Sequence, residues 1–482
     1  MAHPLVNNRL VVAAQHCTGE VVDILATAYA LGIRITLLCP LEECPIPEED
    51  RAGLENYIYI PELQDESVSE RIVTILASQG PFQGIANFVN AWAAMTAKIA
   101  RELGLRSMSP NVVHRLLDKH TIRQFCRAPS DTVRIDTQGE DLEDLVRLER
   151  HLETPGLLPE YPLVVRPCFF GINVLNRLAT TSRELTRAIG ACCMGFEPGT
   201  GLFIDYYEGG PEVEVYLALQ DGEVLFSNVV DSFPTSADQC LPKDQKEYFN
   251  LPEGHFLKTN LMWPSQLPQK EQDLARDTMY RILLEIGARD GVFQTRARIR
   301  NSSVHYADSR GLVDLVPRAT PPEEEPSVLA LEILPQPSED LAVYWGERLA
   351  HGVDYYALHM LCALGERERF RALARPYGFA GGAAPVWVDY VFTNVGAGLG
   401  HPDLTEGLGD VLRRERPDLR EQVRFMKYWK SAKVNMWECK TGIFVVISRV
   451  SRRRALEVAT EIKGMDKIET FMFFPRPGFS SL

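Results

Sequence analysis

Three arginines recur at every second position of one predicted strand. In a strand successive side chains point to opposite faces, so Arg296, Arg298 and Arg300 share one face. Cations at this spacing repel one another, and burying them without partners is costly, so the stripe needs solvent or anions. Two interpretations stay open, namely a solvated outer face and a site that binds carboxylate or phosphate.

Carboxylates that can form ion pairs with these cations lie in two other predicted strands. Glu332 is the charged residue of the apolar run 328–335, and Glu212 and Glu214 alternate along one arm of a predicted hairpin. Glu332 is a candidate acid or base and a candidate partner of Arg296, and a buried Arg–Glu pair with a purely structural role is the alternative. Glu212 and Glu214 are candidates for binding a sugar hydroxyl, or ordinary acids on a half-exposed strand.

Composition narrows the class of protein. The chain has 482 residues, 45% of them apolar, and a formal net charge of −14, which opposes non-specific binding to nucleic acid or an anionic membrane. The 10 cysteines form no CxxC pair and no zinc-type grouping, which favours reduced thiols in the cytoplasm. No signal peptide and no long apolar run is found. We therefore predict a soluble, cytoplasmic protein of several domains.

The order of predicted elements indicates an α/β protein. Residues 1–110 alternate short apolar strands with helical periods, which predicts a small open α/β domain. A hairpin is predicted around Asp221-Gly222. Residues 231–268 look like a long irregular insertion, and 378–385 like a linker. The basic run 451–454 begins a predicted helix and is interpreted as a solvated surface.

This order resembles the ATP-grasp superfamily and, within it, carboxylate–amine ligases similar to carnosine synthase and bacterial dipeptide ligases. The resemblance implies an ATP-grasp fold with an N-terminal open α/β domain and a small C-terminal α+β domain. The implied boundaries are 1–110 for the N-terminal domain, 111–200 for the first ATP-grasp lobe, 201–377 for the second lobe and 386–482 for the C-terminal domain.

The resemblance also assigns roles by motif. Asp118-Lys119 with Arg123 is similar to the family's DK…R motif, whose lysine contacts nucleotide phosphate. Arg166 stands where a second phosphate-binding lysine is expected. Residues 205–212 resemble the hinge that holds adenine, with Glu212 or Glu214 facing the ribose. Gly291-Val292-Phe293 opens the strand that normally reaches a magnesium-binding glutamate, and Glu332 begins a motif similar to ExNPR.

Several positions depart from the family pattern. Arg296 stands at the position of the metal-binding glutamate, and a cation there repels magnesium. The loop 168–174 offers two phenylalanines where small residues normally close over phosphates. Leu334 and Gln336 replace the asparagine and arginine of the last motif. A shifted alignment would place Asp314 among the ligands instead.

Three functional hypotheses follow. The first is an enzyme of amino-acid-derived, secondary metabolism that has lost Mg-ATP-dependent ligation and needs no cofactor. It binds a carboxylated substrate through Arg296, Arg298 and Arg166, and Glu332 is the acid or base. A homodimer is the candidate assembly. The second is an active amide-forming ligase that uses ATP and Mg, with Asp308 or Asp314 as a replacement ligand. The third is a non-catalytic regulatory partner.

Overall fold

The computed structural model describes the greater part of the chain. The described residues are 8–14, 18–42, 44, 46–60, 67–126, 132–135, 161–169, 176–194, 201–235, 237–239, 256, 258–308, 311–337, 342–376, 386–393, 412, 414–427 and 442–463.

The N-terminal part has the predicted alternation of strands and helices. Its elements are β1 (Arg9–Ala13), α1 (Thr18–Leu31), β2 (Arg34–Cys39), β3 (Leu54–Tyr59), α2 (Val68–Ser78), β4 (Gly84–Asn87) and α3 (Ala93–Glu102). The four strands are parallel in the order β3-β2-β1-β4. Such a sheet is buried on both faces, which explains why residues 10–14 are an unbroken apolar run.

A second sheet follows two short helices. The elements are α4 (Pro110–Leu117), α5 (Lys119–Gln124), β5 (Thr132–Ile135), β6 (Leu163–Pro167), β7 (Arg177–Ala179), α6 (Ser182–Met194) and β8 (Leu202–Tyr206). The strands are antiparallel in the order β5-β8-β6-β7. The predicted phosphate-binding strand is β6, at the interior of this sheet.

The remaining strands form one large antiparallel sheet and a separate hairpin. The elements are β9 (Glu212–Gln220), β10 (Glu223–Ser232), β11 (Asn260–Trp263), α7 (Gln269–Ile286), β12 (Gly291–Arg300), β13 (Val304–Asp308), β14 (Val313–Pro317), β15 (Ser327–Leu334), α8 (Ala342–Ala350), α9 (Tyr355–Leu364), α10 (Arg367–Leu373), β16 (Trp387–Thr393), β17 (Val423–Lys427), β18 (Gly442–Ser448) and α11 (Arg452–Lys463). The sheet order is β15-β12-β9-β10-β11-β16-β18-β17, and β13 pairs with β14.

The predicted hairpin is confirmed as β9 and β10. Its turn residues Asp221 and Gly222 have φ angles of 55° and 78°. Positive φ at both central positions is typical of the turns that match the twist of paired strands, and Asp-Gly accepts this conformation readily. The hairpin thereby fixes the register of β9, which carries Glu212 and Glu214.

One segment differs from the sequence prediction. Within 231–268, predicted as irregular, β11 pairs with β10 on one side and with β16 on the other. Through β11 the C-terminal strands β16–β18 extend the large sheet. Pairing of strands distant in sequence overrides the Pro- and Ser-rich composition that suggested a loop.

One core joins the first sheet to the large one. Leu10 and Val12 of β1 belong to the same buried cluster as Tyr216 of β9 and Tyr355 of α9. The α/β architecture predicted from the sequence is thus confirmed. Among the described helices, none is both long and apolar enough to cross a membrane.

Candidate functional site

The arginine stripe lies in the middle of the large sheet, with β12 between β9 and β15. Arg296 is opposite Glu332 on one side and Glu214 on the other, and Arg298 is opposite Glu212. Arg296 is 5% exposed and Arg298 is 3% exposed. The solvated-face interpretation is therefore wrong for these two residues.

The guanidinium group of Arg296 lies between two carboxylates. Its Nε donates to Glu212 Oε1 at 3.1 Å, and Nη2 donates to the same oxygen. Its Nη1 lies 3.5 Å from Glu332 Oε2. The strand β15 has a bulge directly beyond this pair, where the register slips between Arg296 and Ala297. A cation thus joins the acids of the two strands that flank β12, and the predicted pairing of Arg296 with Glu332 is present.

Arg298 is bound just as fully. Its Nη2 donates to Glu212 Oε2 at 3.0 Å, and Nη1 lies 2.7 Å from Asp238 Oδ1. Nη1 also lies 3.1 Å from the Tyr207 hydroxyl and 2.9 Å from the Glu208 carbonyl oxygen. Both oxygens of Glu212 are therefore held by arginines, and a ligand would have to displace them.

The predicted DK…R residues reach the same region from helix α5. Asp118 caps this helix, because its Oδ1 accepts backbone N–H groups of the first turn at 3.0 and 3.2 Å. Lys119 Nζ lies 3.0 Å from Glu332 Oε1. Arg123, fully buried, pairs with Asp205 at 2.6 Å. Lys119 thus belongs to the charged cluster, whereas Arg123 anchors β8.

Glu214 is fully buried and has partners of its own. It forms an ion pair with Lys258, accepts a hydrogen bond from the Tyr216 hydroxyl, and accepts one from Gln294 Nε2 at 2.7 Å. The prediction of a half-exposed acid is wrong for Glu214 and, since it is also buried, for Glu212.

The two carboxylates beside Arg296 are held in the ionised form. Burial alone would raise the pKa of Glu212, but Arg296 and Arg298 outweigh it and lower the pKa to about 2. Burial likewise opposes ionisation of Glu332, and Lys119 and Arg296 lower its pKa to about 2. A carboxylate with so low a pKa is a poor base and a poor proton donor near neutral pH, so both residues are suited to binding and positioning.

These pKa values predict how stability changes with pH. In the unfolded chain a glutamate titrates near pH ~4.3, above the folded values, so acid favours unfolding. The contribution of Glu212 and Glu332 is complete above about pH 5 and is lost progressively as the pH falls toward about 2. We expect the urea midpoint to decrease over this window, and less steeply for Glu332→Gln. Equal slopes for the two proteins would contradict the assignment.

Arg166 differs from the other cations of the site. It is 8% exposed and lies over the ring of Phe256, 4.9 Å from its centroid. Within the described part of the chain its guanidinium makes no ion pair, and its Nε has no hydrogen-bond partner. Burial, followed by repulsion from Arg123, lowers its pKa to about 9. Arg166 is therefore charged at neutral pH, and no carboxylate of the described residues pairs with it directly.

Among the described residues around the arginine stripe, cations outnumber acids by one, and Arg166 is the cation without an acid of its own. We define the charged cluster as five cations, namely Lys119, Arg166, Lys258, Arg296 and Arg298, and four acids, namely Glu212, Glu214, Asp238 and Glu332. Every acid in the cluster has a cation. Arg166 carries the surplus positive charge and is shielded from water, which favours the binding of an anion.

The two alternative metal ligands, Asp308 and Asp314, are not members of the charged cluster. Asp314 Oδ1 is 2.8 Å from Arg452 Nη2. Asp308 is exposed and accepts the backbone N–H of Gly311 at 2.7 Å. Both residues belong to the β13–β14 hairpin. Asp314 is thus paired with an arginine, and the shifted alignment that would place it among the metal ligands stays a prediction.

Three other positions that depart from the family pattern have the apolar side chains of Phe169 and Leu334 and the amide side chain of Gln336. Phe169 packs against His114, with ring centroids 4.6 Å apart, and joins an apolar cluster that includes Leu334 and Val113. Gln336 Oε1 accepts a hydrogen bond from Asn87. Phe170 and the remainder of the predicted phosphate loop, through residue 174, lie outside the described residues.

Sequence reasoning missed three members of the site. Asp238 and Lys258 come from the predicted insertion, and Gln294 is an uncharged residue of β12 that donates to Glu214. No local pattern marks them. The one usable signal was indirect, because a buried arginine stripe requires acids from other parts of the chain.

Known proteins resemble this chain in sequence and in fold. Residues 25–106 match the family ATP-grasp N-terminal domain. The ATP-grasp enzyme fsqD of Aspergillus fumigatus is 28% identical over 412 residues, which cover 83% of this chain and 67% of that protein. An L-amino acid ligase from Bacillus licheniformis has a TM-score of 0.68 at 17% identity, with 97% of this chain and 99% of that chain covered. A carboxyaminoimidazole ribonucleotide synthase from Aspergillus clavatus, complexed with ATP, has a TM-score of 0.62 at 12% identity, with 95% and 97% covered.

Proposed function

Because this chain has the ATP-grasp fold and an ATP-grasp N-terminal domain, we propose that it is a diverged enzyme of amino-acid-derived, secondary metabolism. It binds a carboxylated substrate through arginine and no longer performs Mg-ATP-dependent ligation. The observation that carries the proposal is the position of Arg296, whose guanidinium group lies between Glu212 and Glu332. The free thiols among the described cysteines agree with a cytoplasmic enzyme.

The acids of the charged cluster do not fit a magnesium ion. Magnesium requires several oxygen ligands in octahedral geometry. Glu212 gives both oxygens to arginines, and Glu332 gives one oxygen to Lys119 and the other to Arg296. Leu334, at the position of the family's asparagine, has no oxygen to offer. A dication next to Arg296 would also be repelled.

The substrate carboxylate binds Arg166. This guanidinium has no counter-ion in the described residues and is shielded from water, which strengthens a charge-assisted hydrogen bond. The planar guanidinium group can donate two parallel hydrogen bonds to the two oxygens of one carboxylate. Arg296 and Arg298, already paired, hold the cluster rigid around this position. Catalysis then rests on orientation of the bound substrate, since Glu332 stays ionised.

The direct test is calorimetric titration of the purified chain in EDTA with amino acids and dipeptides, followed by Mg-ATP. We expect saturable binding of a carboxylate without nucleotide. Arg166→Met should weaken that binding roughly tenfold or more, since a buried anion loses its charged partner. Arg300→Met is the matched control, because Arg300 is partly exposed and pairs with Glu208 at 3.7 Å; its affinity should stay unchanged.

The second candidate is an active ATP-dependent ligase that forms an amide bond through an acyl phosphate. Lys119 and the cation Arg166 stand at the positions where the ATP-grasp resemblance places phosphate-binding lysines, which favours this candidate. Micromolar, magnesium-dependent binding of ATP, with ADP released in the presence of amino acids, would establish it and refute the first. If no metabolite or nucleotide raised the melting temperature but a co-purified protein did, a regulatory role would replace both.

A further inference from the structure

A separate cavity of about 400 Å³ lies between the end of strand β4 and helices α3, α4 and α9. No member of the charged cluster lines it. Its wall is mainly apolar, with Ile85, Ala93, Ala97, Val113 and Ala363 among the lining residues. This volume falls within the range of pockets for small organic molecules.

His359 lines this cavity, and its ring has one nitrogen, Nδ1, without a hydrogen bond to any described residue. His359 Nε2 lies 2.8 Å from the carbonyl oxygen of Asn87, which only accepts, so Nε2 carries the proton. Burial lowers the pKa of His359 to about 4, so the ring is neutral at pH 7 and its Nδ1 is an acceptor. The two amides of the wall, Asn87 and Gln336, are hydrogen-bonded to each other.

Two guanidinium groups lie at the rim of the cavity. Arg106 and Arg289 both line it and are both exposed. Asp290 pairs with Arg106 at 3.6 Å, whereas the side chain of Arg289 makes no ion pair to any described residue. The rim therefore has a net positive charge, which attracts anions and repels ammonium groups.

We propose that this cavity binds a second ligand, a small carboxylic acid with an apolar, aromatic-sized body and a hydroxyl group. The hydroxyl donates to His359 Nδ1, and the carboxylate faces Arg106 and Arg289. A hydroxyl suits the acceptor better than an ammonium group, which would lose its hydration without meeting a carboxylate inside. This site goes beyond the proposed function and does not require an anion at Arg166.

Calorimetry with three matched probes tests the proposal. Para-hydroxyphenylpropionate should bind saturably, and phenylpropionate, which lacks the hydroxyl, should bind roughly tenfold more weakly. Tyramine, which has the hydroxyl but carries an ammonium group, should not bind. Failure of both acids to bind, or equal affinity of the two acids for the wild-type chain, would overturn the proposal.

Three variants locate the binding. Ala97→Trp fills the cavity and should abolish binding of both acids, with circular dichroism as the check on folding. His359→Phe removes the acceptor and should make the affinities for the two acids equal; continued discrimination would overturn the assigned role. Arg166→Met should leave para-hydroxyphenylpropionate binding unchanged, which separates this site from the charged cluster. Loss of binding in that variant would refute a separate site.

Discussion

Replacing Arg296 with methionine is expected to lower the free energy of unfolding by about 3–5 kcal/mol, the range for removing one partner of a buried ion pair. Methionine keeps most of the volume of the side chain but none of its charge. Glu212 would keep Arg298, and Glu332 would keep Lys119, but each would lose its contact with Arg296 in a site largely shielded from water. Equilibrium unfolding in urea at pH 7 measures the change.

The same strand provides the control for this experiment. Arg300 lies on the same face of β12, but its side chain is 26% exposed and 3.7 Å from Glu208. Arg300→Met should therefore change the free energy of unfolding by less than about 1 kcal/mol. A similar small change for Arg296→Met would contradict the view that Arg296 holds the acids of two strands together.

The elements of this fold were largely predictable from local patterns. The alternation in β12 and the Asp-Gly turn of the β9–β10 hairpin each specify a structure within a few residues. The position of β12 in its sheet was not predictable in this way. Whether an arginine face meets water or carboxylates depends on Glu212, which is distant in sequence and is brought beside β12 by strand pairing.

The same reasoning explains what was missed at the site. Resemblance placed Lys119, Arg166, Arg296 and Glu332 in one region, and the described contacts unite all but Arg166 through ion pairs. Asp238 pairs with Arg298, but a single acid in a Pro- and Ser-rich segment has no pattern of its own. Long-range electrostatic partners follow from topology, which local spacing does not determine.

Arg452→Met is the second substitution with a large expected effect, again about 3–5 kcal/mol lost from the free energy of unfolding. The basic run at 451–454 was interpreted as a solvated surface, but the side chain of Arg452 is only 7% exposed. Its Nη2 lies 2.8 Å from Asp231 and 2.8 Å from Asp314, and Nη1 donates to the Pro264 carbonyl oxygen at 3.0 Å. One arginine thus ties helix α11 to the large sheet and to the β13–β14 hairpin.

The next residue of the run gives a matched control. Arg453 is 50% exposed and pairs with Glu457 one turn along α11, at 2.9 Å. Such exposed pairs contribute about 0.3–0.5 kcal/mol, so Arg453→Met should be nearly neutral in the same urea experiment. Because Asp231 is fully buried, the loss for Arg452→Met should shrink in mild acid, where this carboxyl can take up a proton. A loss of unfolding free energy for Arg452→Met as small as that for Arg453→Met would contradict the buried role of Arg452 and favour a solvated surface for the whole run.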